Sequence, residues 1–404
     1  MEYLQEIAEF RMPKNVLYGR NSLDKLGEQA IKLGKKAFII SDSIMKKLGY
    51  IDACVKLLKA KKIDVITYEN VNAEPTNIHV LEALTICAES KCDFIIGLGG
   101  GSCIDAAKAV AVLSTNGGEI EEYAQNHVEI EKQPLPLIAI PTTSGTGSEV
   151  TSVAVITNTK TDVKMMIKHP NFTPQIAIID PLLTRSVPPN ITAATGIDAL
   201  CHAIEAYLSR FSQPLTDVLA LAAIGAIMKH LRIAYGNGTN IEAREAMMIA
   251  SLQAGIAFSN ASVTLVHGMS RPIGALFHVP HGISNAMLLP AVLDFTKICS
   301  VKRLADVGRI INPELHSLSD EELANHAIFE IKKLCLDLRI PNLREYGIDQ
   351  VEFENALSKM AKDALASGSP SNNPRIPSYH EVKKLYRICF DYQYENSIST
   401  SIEF

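Results

Sequence analysis

Short apolar runs and amphipathic stretches alternate along the first 185 or so residues. The β-branched runs predict strands at residues 37–40, 64–68, 93–98 and 137–140. Between them, helical periodicity predicts helices at residues 51–60, 80–90 and 104–113. Strands that alternate with helices indicate parallel βαβ units, with helices on both faces of one sheet.

From about residue 190 onward the strand pattern fades and long helical patterns take over. Helices are predicted at residues 191–209, 215–230, 241–259, 321–338, 351–366 and 381–389. Pro181, Pro188 and Pro189 punctuate the change of pattern. We therefore predict an α/β domain over residues 1–187 and an all-helical domain over residues 188–404, with a polar, loose tail from residue 391.

Composition and charge exclude several classes of protein. The 404 residues are 47% hydrophobic and 21% charged, which is typical of a globular chain. The net charge of −5 comes without a basic block, so a nucleic-acid or anionic-membrane partner is not expected. The apolar stretch 286–293 is too short to span a bilayer, and the N-terminus does not resemble a signal peptide. Eight scattered cysteines without a CxxC pair are typical of reduced thiols, so we expect a cytoplasmic protein.

Glycines cluster where the predicted strand 93–98 ends. The run Gly97-Leu98-Gly99-Gly100-Gly101-Ser102 leaves that strand and opens a helix. Glycine lets the backbone approach a ligand closely, and the free N–H groups of the next helix favour a phosphate. The spacing matches neither GxGxxG nor a Walker A loop, so a simple tight turn stays open as the alternative.

Two further strand ends carry polar groups. Asp42 follows the first predicted strand, where a carboxylate can bind ribose hydroxyls and repel a 2′-phosphate, favouring NAD over NADP. A helix N-cap is the other role open to Asp42. Residues 141–149 follow the last predicted strand and are dense in hydroxyl groups and glycine. Open α/β sheets bind ligands at this edge, so the three segments together predict a nucleotide site.

A possible metal site lies in the helical half. Asp198 and His202 are four residues apart in a predicted helix and so share one face. His267 and His281 follow, and Pro272 and Pro280 are expected to break any single helix between them. One carboxylate and three imidazoles suit Fe²⁺ or Zn²⁺, with Mn²⁺ or Co²⁺ as further options. Taken singly, a histidine is more often a hydrogen-bonded core residue than a metal ligand.

Together these segments resemble the iron-containing (group III) alcohol dehydrogenase family over nearly the whole chain. The likeness rests on five ordered stretches, namely Gly99-Gly100-Gly101-Ser102-x-x-Asp105-x-x-Lys108 and residues 141–151, 194–205, 258–282 and 373–375. It implies the dehydroquinate synthase-like fold: a Rossmann-like, parallel-sheet dinucleotide-binding domain followed by an all-α domain, with the active site in the cleft between them.

The resemblance also implies roles for individual residues. The metal ligands, which carry the catalysis, would be Asp198, His202, His267 and His281. Asp42 would bind the adenosine ribose. The pyrophosphate would lie on Gly99, Gly100, Gly101 and Ser102, and the rest of the cofactor site would be lined by Asp105, Thr142, Thr143, Thr151 and Lys164. Phe258 would border the substrate pocket.

Two positions depart from the family pattern. Arg271 stands where many members carry a histidine that looks like part of a proton relay. Arginine does not release a proton near neutral pH, so water, a ribose hydroxyl or His278 would relay protons, or Arg271 would bind an anionic substrate end. A structural ion pair is the third possibility for Arg271. Glu74 replaces a commoner small amide on the cofactor side.

The sequence therefore predicts a metal-dependent oxidoreductase that interconverts a small primary alcohol and its aldehyde with NAD(H), acting in the cell as an aldehyde reductase. The expected metal is Fe²⁺, with Zn²⁺ or Mn²⁺ as alternatives, and the expected assembly is a homodimer or larger homo-oligomer. The alternative function is reduction of an anionic short aldehyde, such as sulfoacetaldehyde or succinic semialdehyde, through Arg271. More remote readings are a dehydroquinate synthase-like lyase and a non-catalytic NAD or metal sensor.

Overall fold

The chain divides into two compact units. A computed structural model describes residues 7–71, 74–124, 128–161, 163–315 and 317–394. One unit is Arg11–Ser186 and the other begins at Val187, so the chain divides one residue before the point at which the sequence pattern changes. The residues just before Arg11 belong with the second unit, where the Gln213 side-chain amide donates a hydrogen bond to the Glu9 carbonyl (3.2 Å).

The first unit is built on a six-stranded, fully parallel sheet with the strand order β1-β8-β5-β4-β2-β3. A separate antiparallel pair, β6 and β7, completes its strands. The strands are β1 (Asn15–Tyr18), β2 (Lys36–Ile40), β3 (Asp64–Tyr68), β4 (Phe94–Gly99), β5 (Leu137–Pro141), β6 (Val153–Asn158), β7 (Val163–Lys168) and β8 (Ile176–Ile179).

Helices cover both faces of this sheet, and two separate hydrophobic clusters fill the space between helices and strands. The helices are α1 (Leu26–Ala30), α2 (Ser43–Lys47), α3 (Tyr50–Lys59), α4 (Asn77–Ser90), α5 (Gly101–Asn116) and α6 (Ile120–Ala124). Strands β4 and β5 are buried along their whole length, which explains why they read as continuous apolar runs. The predicted parallel sheet is confirmed.

The second unit is helical throughout its described residues. Its helices are α7 (Pro189–Leu208), α8 (Pro214–Gly236), α9 (Ile241–Ala261), α10 (Leu265–Phe277), α11 (His281–Lys297), α12 (Val301–Ile311), α13 (Asp320–Asp337), α14 (Gln350–Ala366) and α15 (Tyr379–Phe390). All nine contribute to one hydrophobic core. The predicted all-helical fold of this half is confirmed. Short 3-10 turns link elements in both units, at Ser22–Lys25, Ser148–Val150, Pro170–Phe172, Pro181–Thr184, Pro313–Leu315 and Ser369–Asn372.

One helix of the described chain, α8, is long and apolar enough to cross a membrane by length and composition alone. Its residues Ala220, Ile224, Ile227 and Leu231 are fully buried in the core of the helical unit. Core helices of this kind pass the same test, so we interpret α8 as a packed bundle helix.

Two sequence expectations in this unit are wrong in detail. Pro272 does not break a helix, because α10 runs through it and its ring is buried in the bundle. Helix α10 ends at Phe277 and Pro280 is the N-cap of α11, so no single helix joins His267 to His281, as predicted. The predicted loose tail does not begin at residue 391, because Tyr392 and Tyr394 are buried against the core. The rest of that prediction concerns residues 395–404, which lie outside the described residues.

Candidate metal centre and cofactor loops

Three polar segments meet at one edge of the parallel sheet. Strands β5, β4 and β2 are neighbours, so the segments that follow them lie side by side at their carboxyl ends. The Thr142 backbone N–H donates to the Gly99 carbonyl (2.9 Å), and the Ser41 hydroxyl donates to the Leu98 carbonyl (2.7 Å). The glycine run, the hydroxyl-rich segment and Asp42 thus form one continuous surface of the first unit.

Glycine is required twice in this surface. Gly99 has a left-handed φ of 143°, and a Cβ atom there would stand 2.7 Å from the Cys103 sulfur. A Cβ atom on Gly101 would stand 2.9 Å from both Oγ1 and Cγ2 of Thr146. The glycine run therefore lies tightly against the hydroxyl-rich loop. Helix α5 begins at Gly101, and the N–H groups of Cys103 and Ile104 donate to the Gly100 carbonyl (3.2 and 3.4 Å). The N–H groups of Gly101 and Ser102 are the first two of the helix, where the chain offers no carbonyl one turn back. This geometry is suited to a phosphate.

Asp42 caps a helix and also faces the glycine run. Its Oδ1 accepts hydrogen bonds from the backbone of Ile44 (2.8 Å) and Met45 (2.9 Å), so the N-cap role is present. Its Oδ2 accepts a hydrogen bond from the Cys103 thiol at 3.5 Å and lies 3.5 Å from where a Cβ of Gly99 would be. One carboxylate oxygen thus fixes α2 while the other points toward the candidate nucleotide surface.

A buried charged cluster supports the hydroxyl-rich loop from behind. The Lys108 ammonium donates to the Val153 carbonyl (2.6 Å) and to the Thr151 hydroxyl (3.0 Å), and burial lowers the pKa of Lys108 to about 8. Asp105 accepts from the Ser148 hydroxyl (2.5 Å) and from the Val155 backbone (2.8 Å). Thr151 and Asp105 therefore hold the loop, and their contact with a cofactor stays a prediction.

The remaining predicted cofactor residues are spread along the same unit. Thr142 is buried directly after β5, whereas Thr143 is half-buried and borders Gly100. Lys164 lies on β7, and its ammonium forms an ion pair with Glu74 (2.6 Å). Lys164 and Glu74 are thus partners, although the sequence analysis placed each on the cofactor side separately.

The four predicted metal ligands converge in the helical unit. Asp198 and His202 lie one turn apart on α7, His267 is in the first turn of α10, and His281 is the first residue of α11. Their donor atoms all lie within 4.8 Å of one another, and no other group of three or more such side chains occurs in the described residues. Ligands about 2.1 Å from a tetrahedral cation stand roughly 3.4 Å apart, so a small contraction would complete the site.

Ring stacking aligns the histidines. The His202 ring stacks on the His267 ring with centroids 4.6 Å apart. The Phe258 ring also stacks on His202, with centroids 4.1 Å apart. His281 is the least buried ligand, with its side chain 41% exposed. Phe258 therefore provides an apolar wall directly against a ligand ring, while access from outside lies on the His281 side.

Glu205 orients His267, although Glu205 is not among the site residues predicted from the sequence. Its Oε2 is hydrogen-bonded to His267 Nδ1, and its Oε1 accepts from the backbone of Thr264 (3.1 Å) and Val266 (2.8 Å) and from the Thr264 hydroxyl (2.8 Å). Burial raises the pKa of Glu205 to about 7 against the pull of these donors. With the shared proton on Nδ1, Nε2 of His267 carries a lone pair that can bind a cation. Glu205 lies three residues after His202, so helical spacing was the available signal.

The protonation states suit a divalent cation. Burial, reinforced by His202 and His281, lowers the pKa of His267 well below its ordinary value, so the imidazole is neutral. Burial raises the pKa of Asp198, but the three imidazoles outweigh it and the net shift is downward. A carboxylate and three imidazoles form a donor set that binds iron, zinc or manganese, so the residues fit the predicted metal.

Of the three predicted substrate-side residues, Arg271 and His278 differ from each other in setting. Arg271 lies one turn after His267 on α10 and is half-buried, with burial lowering its pKa and the charge of Glu205 raising it. His278 is exposed at the C-terminus of α10, with a left-handed φ of 53°. The structure thus keeps Arg271 close to the Glu205–His267 pair and His278 at the surface.

Comparison with known proteins gives consistent matches over most of the chain. A family model described as iron-containing alcohol dehydrogenase matches residues 13–181, and one for the C-terminal part of the Fe-containing alcohol dehydrogenase family matches residues 192–390. The chain is 37% identical over 387 residues to the 1,3-propanediol dehydrogenase of Citrobacter freundii, covering 95% of this chain and 98% of that protein.

Solved structures agree with these matches. A 1,3-propanediol oxidoreductase superposes with a TM-score of 0.91 at 36% identity, covering 95% of this chain and 100% of that chain. The sulfoacetaldehyde reductase of Bifidobacterium kashiwanohense, solved in complex with NAD⁺, superposes with a TM-score of 0.86 at 27% identity, covering 96% and 100%.

Proposed function

The chain belongs to the iron-containing alcohol dehydrogenase family, and from that premise we propose that it interconverts a small primary alcohol and its aldehyde with NAD(H) and one divalent metal. The observation that carries the proposal is the convergence of Asp198, His202, His267 and His281 within 4.8 Å. When bound, the metal would polarise the substrate oxygen and NAD(H) would exchange the hydride.

The chain's own residues hold and orient these groups. Asp198 and the three imidazoles would hold Fe²⁺, or Zn²⁺ or Mn²⁺ in its place, and Glu205 fixes the ring of one ligand. Phe258 excludes water from one side of the ligand rings because its ring stacks directly on His202. A flat apolar wall so close to the ligands favours a short, unbranched substrate.

The first unit supplies the nucleotide site of this proposal. Gly99, Gly100, Gly101 and Ser102 would bind the pyrophosphate at the start of α5, and Asp42 Oδ2 would bind the adenosine ribose. Thr143 borders this surface directly. Asp105, Thr151 and Lys108 act behind it by holding the loop, and Lys164 acts through its ion pair with Glu74.

A second candidate function is the reduction of an anionic short aldehyde. Arg271 places a cation one turn from His267, where a guanidinium can bind a sulfonate or carboxylate with two parallel hydrogen bonds. The similarity to a sulfoacetaldehyde reductase favours the same substrate class. For this function we expect Arg271→Ala to raise KM for an anionic aldehyde at least tenfold more than KM for a neutral aldehyde of equal size. Equal changes for both aldehydes would assign Arg271 a structural role.

Assembly and location are part of the proposal. We propose a homodimer or larger homo-oligomer that acts as an aldehyde reductase in the cytoplasm. All eight cysteines are free thiols, which suits a reducing compartment.

The test of the proposed function is NADH oxidation by protein that has been stripped of metal and reloaded separately with Fe²⁺, Zn²⁺ or Mn²⁺. We expect turnover only in loaded protein. His267→Ala and Asp198→Ala should lose the metal and nearly all turnover while NADH still binds, and His380→Ala, at an exposed histidine of the same unit, should keep both. Full turnover in a metal-free variant would refute the assignment. Bound NADH without turnover on any aldehyde would favour the lyase or sensor readings.

A further inference from the structure

A fifth polar side chain lies among the four candidate ligands. Asn285 is on α11, one turn after His281, and is completely buried. Its side-chain nitrogen donates to Asp198 Oδ1 at 2.6 Å and contacts His267 Nε2 at 3.1 Å and His281 Nε2 at 3.2 Å. One amide group therefore contacts donor atoms from three helices: α7, α10 and α11.

The chemistry of these neighbours determines which end of the amide faces them. A carboxylate oxygen accepts hydrogen bonds, and His267 Nε2 accepts when Nδ1 carries the proton shared with Glu205. Only the NH₂ end of Asn285 can be stabilised by such a set. The other end, Oδ1, is buried and has no hydrogen-bond partner among the residues that the structure describes. The side chain therefore leaves its oxygen without a hydrogen bond, which is unfavourable for a buried group, and keeps its NH₂ group on the ligands.

We propose that Asn285 is a positioning residue of the metal centre, which keeps the donor atoms of the three helices together and holds Asp198 in its ligating orientation. The inference rests on the proposed metal site. The amide contacts Asp198, His267 and His281 together, and the Nε2 atoms of the two histidines lie 3.7 Å and 3.9 Å from Asp198 Oδ1.

The contact with Asp198 can persist when a cation is bound. Each imidazole has a single Nε2 lone pair, which a cation would take from Asn285. A carboxylate has about four lone-pair sites on its two oxygens, so Asp198 can bind a cation and still accept from the amide. Hydrogen bonds to ligating carboxylates orient them, and loss of such a partner typically weakens metal binding by about 10- to 100-fold.

The test is metal affinity, measured by competition between metal-free protein and a chromophoric chelator for Co²⁺. We expect Asn285→Ala to raise the Kd for Co²⁺ by about 10- to 100-fold. Asn342→Ala is the matched control, because Asn342 is an equally buried asparagine of the same unit that donates to the Tyr392 carbonyl (3.2 Å), away from the ligands. We expect its Kd to stay within about twofold of the unmodified protein.

A second variant, Asn285→Ser, keeps the test valid if Asn285→Ala does not fold. Asn285→Ser removes the same amide and leaves a smaller cavity, and its hydroxyl ends where the amide carbon stands, short of the ligand atoms. We expect the same weakening of Co²⁺ binding. The visible spectrum of bound Co²⁺ should keep its intensity in both variants, because Asn285 is not itself a ligand.

Three results would overturn the inference or its premise. An unchanged Kd in whichever variant folds would show that Asn285 does not position the ligands. A change in Co²⁺ spectral intensity that indicates a different coordination number would make Asn285 a ligand instead. If the unmodified protein binds no Co²⁺, the metal site of the proposed function fails, and that outcome is distinct from the other two.

Discussion

Replacing Glu205 by glutamine tests whether one hydrogen bond sets the tautomer of a metal ligand. The change conserves volume and removes the charge, but it replaces one carboxylate oxygen by an NH₂ group. In the protein, Oε1 accepts from Thr264 and Val266, and Oε2 pairs with His267 Nδ1. The glutamine must therefore point its NH₂ group either at His267 Nδ1 or at the donors on the other side.

Pointing the NH₂ group at His267 Nδ1 costs less, because there it faces one hydrogen-bond donor, whereas on the other side it would face several. An NH₂ group beside Nδ1 can only donate, so Nδ1 must accept and the imidazole proton must move to Nε2. A protonated Nε2 has no lone pair for a cation. Replacing the partner of a ligating histidine typically weakens metal binding by about 10- to 100-fold, which corresponds to about 1.4–2.8 kcal/mol.

Two measurements check this expectation together. Competition with a chromophoric chelator gives the Kd for Co²⁺, and ¹⁵N NMR of labelled histidine reports which ring nitrogen carries the proton. The matched control is Glu149→Gln, which also replaces a fully buried carboxyl by an amide but lies in the α/β unit, so its metal affinity should not change. Unaltered Co²⁺ binding by Glu205→Gln, or a proton still on Nδ1, would refute the reasoning.

Three further predictions concern the α/β unit. Burial raises the pKa of Glu149 from 4.5 to about 7, so stability should fall by about 3 kcal/mol as pH rises through that window. The free energy of unfolding of Glu149→Gln, measured in urea, should not show this fall. If it depends on pH in the same way as that of the unmodified protein, the prediction is contradicted. Asp42→Ser keeps an N-cap but removes the charge, so the ratio of kcat/KM for NADPH to that for NADH should rise roughly tenfold; an unchanged ratio argues against the ribose role. Gly101→Ala should raise KM for NADH roughly tenfold because its Cβ meets Thr146 at 2.9 Å, and adding Thr146→Ala should relieve it.

Much of the fold can be read locally from the sequence, and the misses have physical reasons. Strands β2, β4 and β5 are buried on both faces and appear as apolar runs. Strand β1 is half exposed and pairs with β8, so its partner lies far along the chain and leaves no local pattern. Strand β8 has only four residues, which is too short for periodicity to distinguish it from a helix.

The candidate site was less accessible to local reasoning. Helical spacing pairs Asp198 with His202, but it cannot bring His267 and His281 to the same place, and family resemblance supplied that step. The supporting residues Glu205 and Asn285 were not predicted, because no sequence pattern marks a buried glutamate or asparagine as part of a site. Their roles depend on what faces them across helices, as the contacts with His267 and Asp198 show.

The distribution of the ligands over α7, α10 and α11 makes metal binding a reaction of the folded state. Asp198 and Asn285 are 87 residues apart in sequence, and an unfolded chain would not hold such distant groups together. A cation that binds only the folded protein acts as a reversible cross-link, and its binding free energy adds to the stability of the helical unit. At a free metal concentration of 100 times Kd this amounts to about 2.7 kcal/mol. The thermal midpoint of that unit should therefore rise with metal supply, so that scarcity of the ion would limit the lifetime of the protein as well as its turnover.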